Sequence, residues 1–167
     1  MSGLRILVLC TGNSCRSILA EVLFNDLGKG RITCYSAGSH PAGAVNPGAL
    51  RKLSDQGHAI EQRQPPLQSQ SWDMFSGSDA ERIDIVITVC DSAAGETCPV
   101  WNGAPVTVHW GIPDPADASP DNEVAAFDLA YRQLRSRVEE ALELPLESMD
   151  VTERKDALQR IHERKVD

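Results

Sequence analysis

The 167-residue chain reads as one α/β domain, a doubly wound parallel sheet of about four strands flanked by helices. Three observations predict it. Apolar runs of strand length at residues 4–9 and 83–89 lack polar alternation, as strands buried on both faces do. Between and after them lie segments with apolar residues at three- and four-residue spacing, the period of amphipathic helices. Glycine and proline punctuate the junctions, so strands and helices alternate as crossover-connected parallel strands require.

In order, residues 4–9 form the first strand. From 17 to 27, Ile18, Leu19, Val22, Leu23 and Leu27 fall on one side of a helix that Gly28 and Gly30 end. Residues 31–36 predict the second strand, with Ala37, Gly38 and Ser39 turning beyond its carboxyl end. Asn46 caps and Pro47 opens a helix to about residue 56. Residues 58–71, broken by Gln64, Pro65 and Pro66, predict irregular chain, followed by a short helical stretch at 72–75 or 78–82. Residues 83–89 and 105–109 are the remaining strands, and 110–120 is a proline-broken loop. The longest helix spans 122–144, with Val124, Phe127, Tyr131, Leu134, Val138 and Leu142 on its apolar stripe and Pro145 as its stop. Residues 1–147 make the domain. Residues 148–167 read as a charged, weakly helical tail.

The formal net charge of −8 disfavours nucleic acid or an anionic membrane as a partner. The N-terminal apolar run is strand length and reads as neither secretory signal nor membrane span, so a cytoplasmic monomer is expected. Five cysteines, an odd and scattered set, do not suit a disulfide framework. Thiol chemistry is the better use.

The densest chemical signal is the turn from Cys10 to Arg16, between the first strand and its helix. A turn of this length folds into a semicircle whose N–H groups converge, and the helix N-terminus adds partial positive charge. It is an anion cradle, formed by Thr11, Gly12, Asn13, Ser14, Cys15 and Arg16, with Arg16 closing it by a planar fork of donors. Cys10 lies at its floor, where such surroundings bring thiol pKa values to roughly 3.5–7.5. Ser17 is expected to donate its hydroxyl to the Cys10 sulfur, and Gly12 and Asn13 to supply left-handed backbone. The alternative, a buried strand-end cysteine beside a surface arginine, leaves the strand, turn and helix context unexplained.

Two further groupings carry chemistry. Cys90 leaves a strand as Cys10 does, so a parallel sheet brings both to one edge; Cys98 follows after seven residues of a small, glycine-containing loop. Two unrelated buried thiols or zinc ligation are the alternatives, although metal knuckles prefer closer pairs. A thiol relay by disulfide exchange fits better. Asp114, pinned between Pro113 and Pro115, either initiates a turn or, beside a cysteine nucleophile, serves as general acid.

The run from Cys10 to Ser17 resembles the active-site loop of the low-molecular-weight tyrosine phosphatase superfamily, and most closely its arsenate reductase branch. The resemblance covers roughly residues 4–144, with the loop, the Cys90/Cys98 segment and the Asp114-Pro115 loop in the expected order. It implies that Cys10 attacks arsenate held by the loop amides and Arg16, that Asp114 protonates the departing oxygen, and that Cys90 and Cys98 relay a disulfide to an external reductant. Thioredoxin or a glutathione and glutaredoxin system would fill that role, with no bound cofactor, and phosphate or sulfate would compete. The chain departs from phosphatases at Ile18, where they usually have proline, and at Ala116, where they commonly have an aromatic residue. A tyrosine phosphatase using Cys10, Arg16 and Asp114 is the runner-up, and a non-catalytic oxyanion or arsenical sensor the remote one. Some such reductases hold a cation at the positions of Asn13, Glu21 and Ser36, but the rest of that site is not evident at residues 62–66, and no metal is expected. Cys15, Cys34 and His109 read as structural.

Overall fold

The computed structural model describes residues 3–90, 101–103 and 105–164. Four strands, β1 (Leu4–Leu9), β2 (Ile32–Ala37), β3 (Ile85–Thr88) and β4 (Val106–His109), form one sheet in the order β2-β1-β3-β4. All neighbours are parallel. Four helices accompany them: α1 (Arg16–Gly28), α2 (Pro47–Asp55), α3 (Glu123–Leu142) and α4 (Val151–Arg164).

The strand order places the site. From β1 the chain turns outward to β2, then crosses back to β3 on β1's other side, so the connections diverge between β1 and β3. Such a divergence opens a crevice at the carboxyl ends of the strands. Leu9 pairs with Thr88, and Thr88 with His109. The segments after β1, β3 and β4, which carry Cys10, Cys90 and Asp114, therefore emerge side by side.

The β period splits the core. Ile6 and Val8 of β1 face the cluster that takes the buried residues of all four helices, while Leu7 and Leu9 face a smaller cluster with Phe75, Ile83, Val86 and Trp101. Trp72–Phe75 forms a short 3-10 turn on that second face, the former of the two positions expected. In α2, Asn46 accepts from the Gly48 N–H at 2.7 Å and Pro47 opens the helix. The end of α1 differs in detail. Gly28 stays helical and the left-handed turn is taken by Lys29 (φ 49°) and then Gly30 (φ 85°). The apolar stripe of α3 also starts later than expected: Val124 is 79% exposed, because the first turn of α3 projects past the core rim, and Phe127 is its first buried apolar residue.

The charged tail segment forms α4, which buries Leu158 and Ile161. Gln159 pairs with the edge of β4 as a further strand would, accepting from the His109 N–H at 3.0 Å and donating to the His109 carbonyl at 3.1 Å. The Trp110 indole donates to the Leu158 carbonyl at 2.8 Å, and its ring stacks on Phe24 at 5.9 Å.

Gly38, just beyond β2, has no room for a side chain. A Cβ there would lie 2.4 Å from the Thr11 carbonyl oxygen and 2.5 Å from that of Cys10. Both are backbone atoms. Gly38→Ala should therefore force β2 away from the turn after β1 and cost about 1–3 kcal/mol, read as a lower denaturant midpoint at unchanged m-value.

Candidate active site

The turn after β1 is shaped from outside. The carbonyl of Thr11 accepts from the His40 N–H, that of Gly12 from the Ala42 N–H and the Ser69 hydroxyl, and that of Ser14 from the Asn46 N–H, all at 2.9–3.0 Å. In a trans peptide the N–H lies opposite the C=O, so the amides of Gly12, Asn13 and Cys15 turn toward the hollow. Among the described residues no side chain caps the N-terminus of α1, and no acidic residue occupies its first turn. The hollow, open on one side, measures about 230 Å³ and is lined by Cys10, Thr11, Gly12, Ser14, Cys15, Arg16, Cys90 and Asp114.

Asn13 holds this shape from behind. It is fully buried at φ 46°, in the left-handed region that a short amide side chain tolerates. Its Nδ2 donates to the Ser17 hydroxyl at 2.8 Å and the Ser36 hydroxyl at 2.9 Å, and its Oδ1 accepts from the Gln70 N–H at 2.8 Å. Asn13 thus contributes its backbone to the cradle and its side chain to the scaffold. In the hydrogen bond described for Ser17 its hydroxyl oxygen accepts from Asn13, which leaves the hydroxyl hydrogen, expected to go to Cys10, unassigned.

The guanidinium of Arg16 is already engaged. It donates to the Ile112 carbonyl at 3.0 Å and meets Asp114 Oδ2 at 3.4 Å. The other carboxylate oxygen of Asp114 accepts from the Ala116 N–H at 3.0 Å, which fixes the carboxylate over the cradle mouth. An incoming oxyanion competes for Arg16 with a carboxylate, a group of the same charge and similar oxygen spacing.

Cys90 stands beside Cys10. The Thr11 N–H donates to the Cys90 sulfur at 3.4 Å, and the Thr11 hydroxyl lies 3.7 Å from it. This neighbour reverses the expectation of a low Cys10 pKa. The hydrogen bond between the two thiols and then burial push Cys10 well above the ordinary thiol range, outweighing the pull of Arg16 and the Gly12 N–H. Two sulfurs in contact cannot both ionise, and Arg16 is partly spent on Asp114. The sequence places Thr11 only in the cradle; its contact with Cys90 depends on β1 and β3 being neighbours.

Cys98 lies outside the described residues. Cys15 is buried, accepts from the Ser14 hydroxyl at 3.8 Å, and is pushed up chiefly by burial. Cys34 in β2 is raised further, by burial and then by the charge of Glu21. His109 shares a 2.7 Å hydrogen bond with the Thr88 hydroxyl, with its ring 5.8 Å from that of His162. The described residues contain no helix long and apolar enough to cross a membrane.

A family model for low molecular weight phosphotyrosine protein phosphatases matches residues 5–155. The chain belongs to that family. Among its phosphatase-family relatives, an arsenate reductase of Halalkalibacterium halodurans is 36% identical over 118 residues, 71% of this chain and 78% of that protein. An arsenate reductase of Bacillus cereus is 32% identical over 139 residues, 83% of this chain and 94% of that one. A solved arsenate reductase in the phosphate binding state superposes with a TM-score of 0.65 at 26% identity, covering 84% of this chain and 97% of its own. Two more distant structures share the fold: a Corynebacterium glutamicum thioredoxin-dependent arsenate reductase (TM-score 0.56, 23% identity, 83% and 63% coverage) and a Vibrio cholerae low molecular weight phosphotyrosine phosphatase (TM-score 0.59, 22% identity, 79% and 92% coverage).

Behind the cradle, Ser36 donates to Glu21 Oε1 at 2.5 Å, extending the chain from Ser17 through Asn13 to a carboxylate. Among the described residues no group of three or more His, Cys, Asp or Glu side chains is placed to hold a metal. Burial, opposed by the Ser36 hydrogen bond and Arg63, raises Glu21 from 4.5 to about 7. The folded protein then holds this proton more tightly than the unfolded chain, so its contribution to stability is full below the unfolded pKa and is lost as pH rises to about 7. The loss is on the order of 3 kcal/mol. Glu21→Gln should flatten the fall in denaturant midpoint between about pH 5 and pH 8; an unchanged slope would assign that fall to other groups.

Proposed function

We propose that this protein reduces arsenate to arsenite, with Cys10 as nucleophile and Cys90 and Cys98 as the relay that returns electrons. The observation that carries the reading is the Cys90 sulfur beside Cys10 at the floor of an oxyanion cradle. A hydrolytic phosphatase needs one cysteine there and a path for water. A second thiol in contact with the first serves redox chemistry.

Arsenate enters the hollow, takes the inward N–H groups and exchanges with Asp114 for Arg16. As the anion arrives, Cys90 withdraws from Cys10, which removes the largest influence holding the Cys10 thiol protonated. The Cys10 thiol proton passes to the Asp114 carboxylate released from Arg16, the thiolate attacks arsenic, and Asp114 hands that proton to the departing hydroxyl, so that water leaves and an arsenic(V) thioester remains on Cys10. Cys90 then attacks the Cys10 sulfur. The S–As bonding pair passes to arsenic, which departs as arsenite, and a Cys10–Cys90 disulfide remains. Cys98 attacks Cys90, freeing Cys10 and leaving Cys90–Cys98. Two electrons have moved from protein thiols to arsenic, and an external dithiol restores them.

We assign that role to thioredoxin, because an intramolecular disulfide is cleared in one encounter by a second, resolving thiol on the reductant. Ala116 weighs against an aryl phosphate substrate, since it offers no ring to stack on one. Arsenate-dependent NADPH oxidation should be rapid with thioredoxin and its reductase, at least about tenfold slower with glutathione and glutaredoxin, and absent in Cys10→Ser. Faster kcat/KM for aryl phosphate hydrolysis than for arsenate reduction would replace this reading with the phosphatase one.

A further inference from the structure

We propose that Arg137, on α3, is a positioning residue that sets Asp114 against Arg16, an inference that rests on the reading of Asp114 as proton donor. Arg137 is 2% exposed, and among the described residues it is the charged side chain in the fully buried class, the others being Asn13, Ser17, Ser36 and Thr88. Taking a guanidinium out of water is costly unless its donors are used. Its NH1 donates to the carbonyls of Trp110 at 3.3 Å and Gly111 at 3.4 Å. These are the residues through which the chain leaves β4 on its way to Asp114.

The segment is held at each step. The Trp110 N–H donates to the Thr88 carbonyl at 2.7 Å and the Ile112 N–H to the Val89 carbonyl at 3.2 Å, tying it to β3. The Ile112 carbonyl accepts from Arg16 at 3.0 Å. Pro113 and Pro115 restrict φ on either side of Asp114. Arg137 holds the base of this segment from the helix layer and Arg16 holds its tip from the cradle, leaving Asp114 little freedom except to face Arg16. A neutral side chain of similar length would fill the space and leave both carbonyls without this donor. The loop would then settle elsewhere, and a carboxylate displaced by about 1 Å from a leaving oxygen loses much of its effect as an acid.

The test is a double-mutant cycle on arsenite release in a single turnover of the fully reduced protein, so that the external reductant does not enter. Arg137→Met should slow release at saturating arsenate roughly tenfold, with the arsenate concentration for half-maximal rate within about twofold, because the N–H groups of the cradle are untouched. In the Asp114→Asn background the same change should cost less than about twofold, and Arg137→Lys should recover most of the rate. Equal losses in both backgrounds, or a rise in the half-maximal arsenate concentration at unchanged limiting rate, would overturn the proposal and leave Arg137 a packing residue. If Arg137→Met does not fold, Arg137→Lys carries the same cycle: a partial loss that vanishes in the Asp114→Asn background supports positioning, and one that persists there rejects it. Failure of the wild type to release arsenite would instead reject the proton-donor reading on which the inference rests.

Discussion

The side-chain amide of Asn13 is the interaction on which the rest of the site depends. One buried group joins the turn after β1, the first turn of α1, the end of β2 and the segment at Gln70. Each of its three hydrogen bonds is made inside the protein, where an unmade one leaves a polar atom without water and costs about 1–3 kcal/mol. With the amide satisfied, the left-handed backbone at Asn13 is held, the carbonyls of Thr11, Gly12 and Ser14 stay outward, and the hollow keeps its N–H lining. An anion then meets donors already in place, the arrangement in which electrostatic stabilisation needs least reorganisation.

Around that cradle, two groups stand where substrate will be. Asp114 occupies Arg16 as a carboxylate stand-in for an oxyanion, and Cys90 occupies the Thr11 N–H as a second sulfur. In the described arrangement Cys90 and burial push the Cys10 thiol up, and the arginine is paired. In the proposed reaction, arsenate binding releases both restraints at once. The same proximity that quiets Cys10 before the reaction makes its sulfur reachable for Cys90 afterwards.

Much of this was legible in the sequence because it is local. The strand, the Gly12-Asn13-Ser14 turn and the helix are consecutive, so the cradle could be read from spacing, and parallel topology already brought Cys10 and Cys90 to one edge. What escaped depends on packing between distant segments. The raised Cys10 pKa needs the contact with Cys90, and the donation from Asn13 to Ser17 needs Ser36 and Gln70 in place. The close approach of Gly38 to the Thr11 carbonyl appears only once β2 lies beside β1. Leu158 and Ile161 carried a usable signal, an apolar pair at helical spacing in a charged segment, and they bury α4 against the core. Arg137 carried none, since an arginine in the middle of an amphipathic helix ordinarily faces water.

The central claim is that electrons reach arsenic through the sulfur of Cys10. Reduced Cys98→Ser protein, treated with excess arsenate without external reductant and quenched with an alkylating agent, tests it by disulfide mapping of its peptides. The account predicts about one arsenite released per chain and a Cys10–Cys90 disulfide, with both thiols protected from alkylation. Arsenite release with Cys10 still alkylated as a free thiol, or no arsenite and no disulfide, would contradict it.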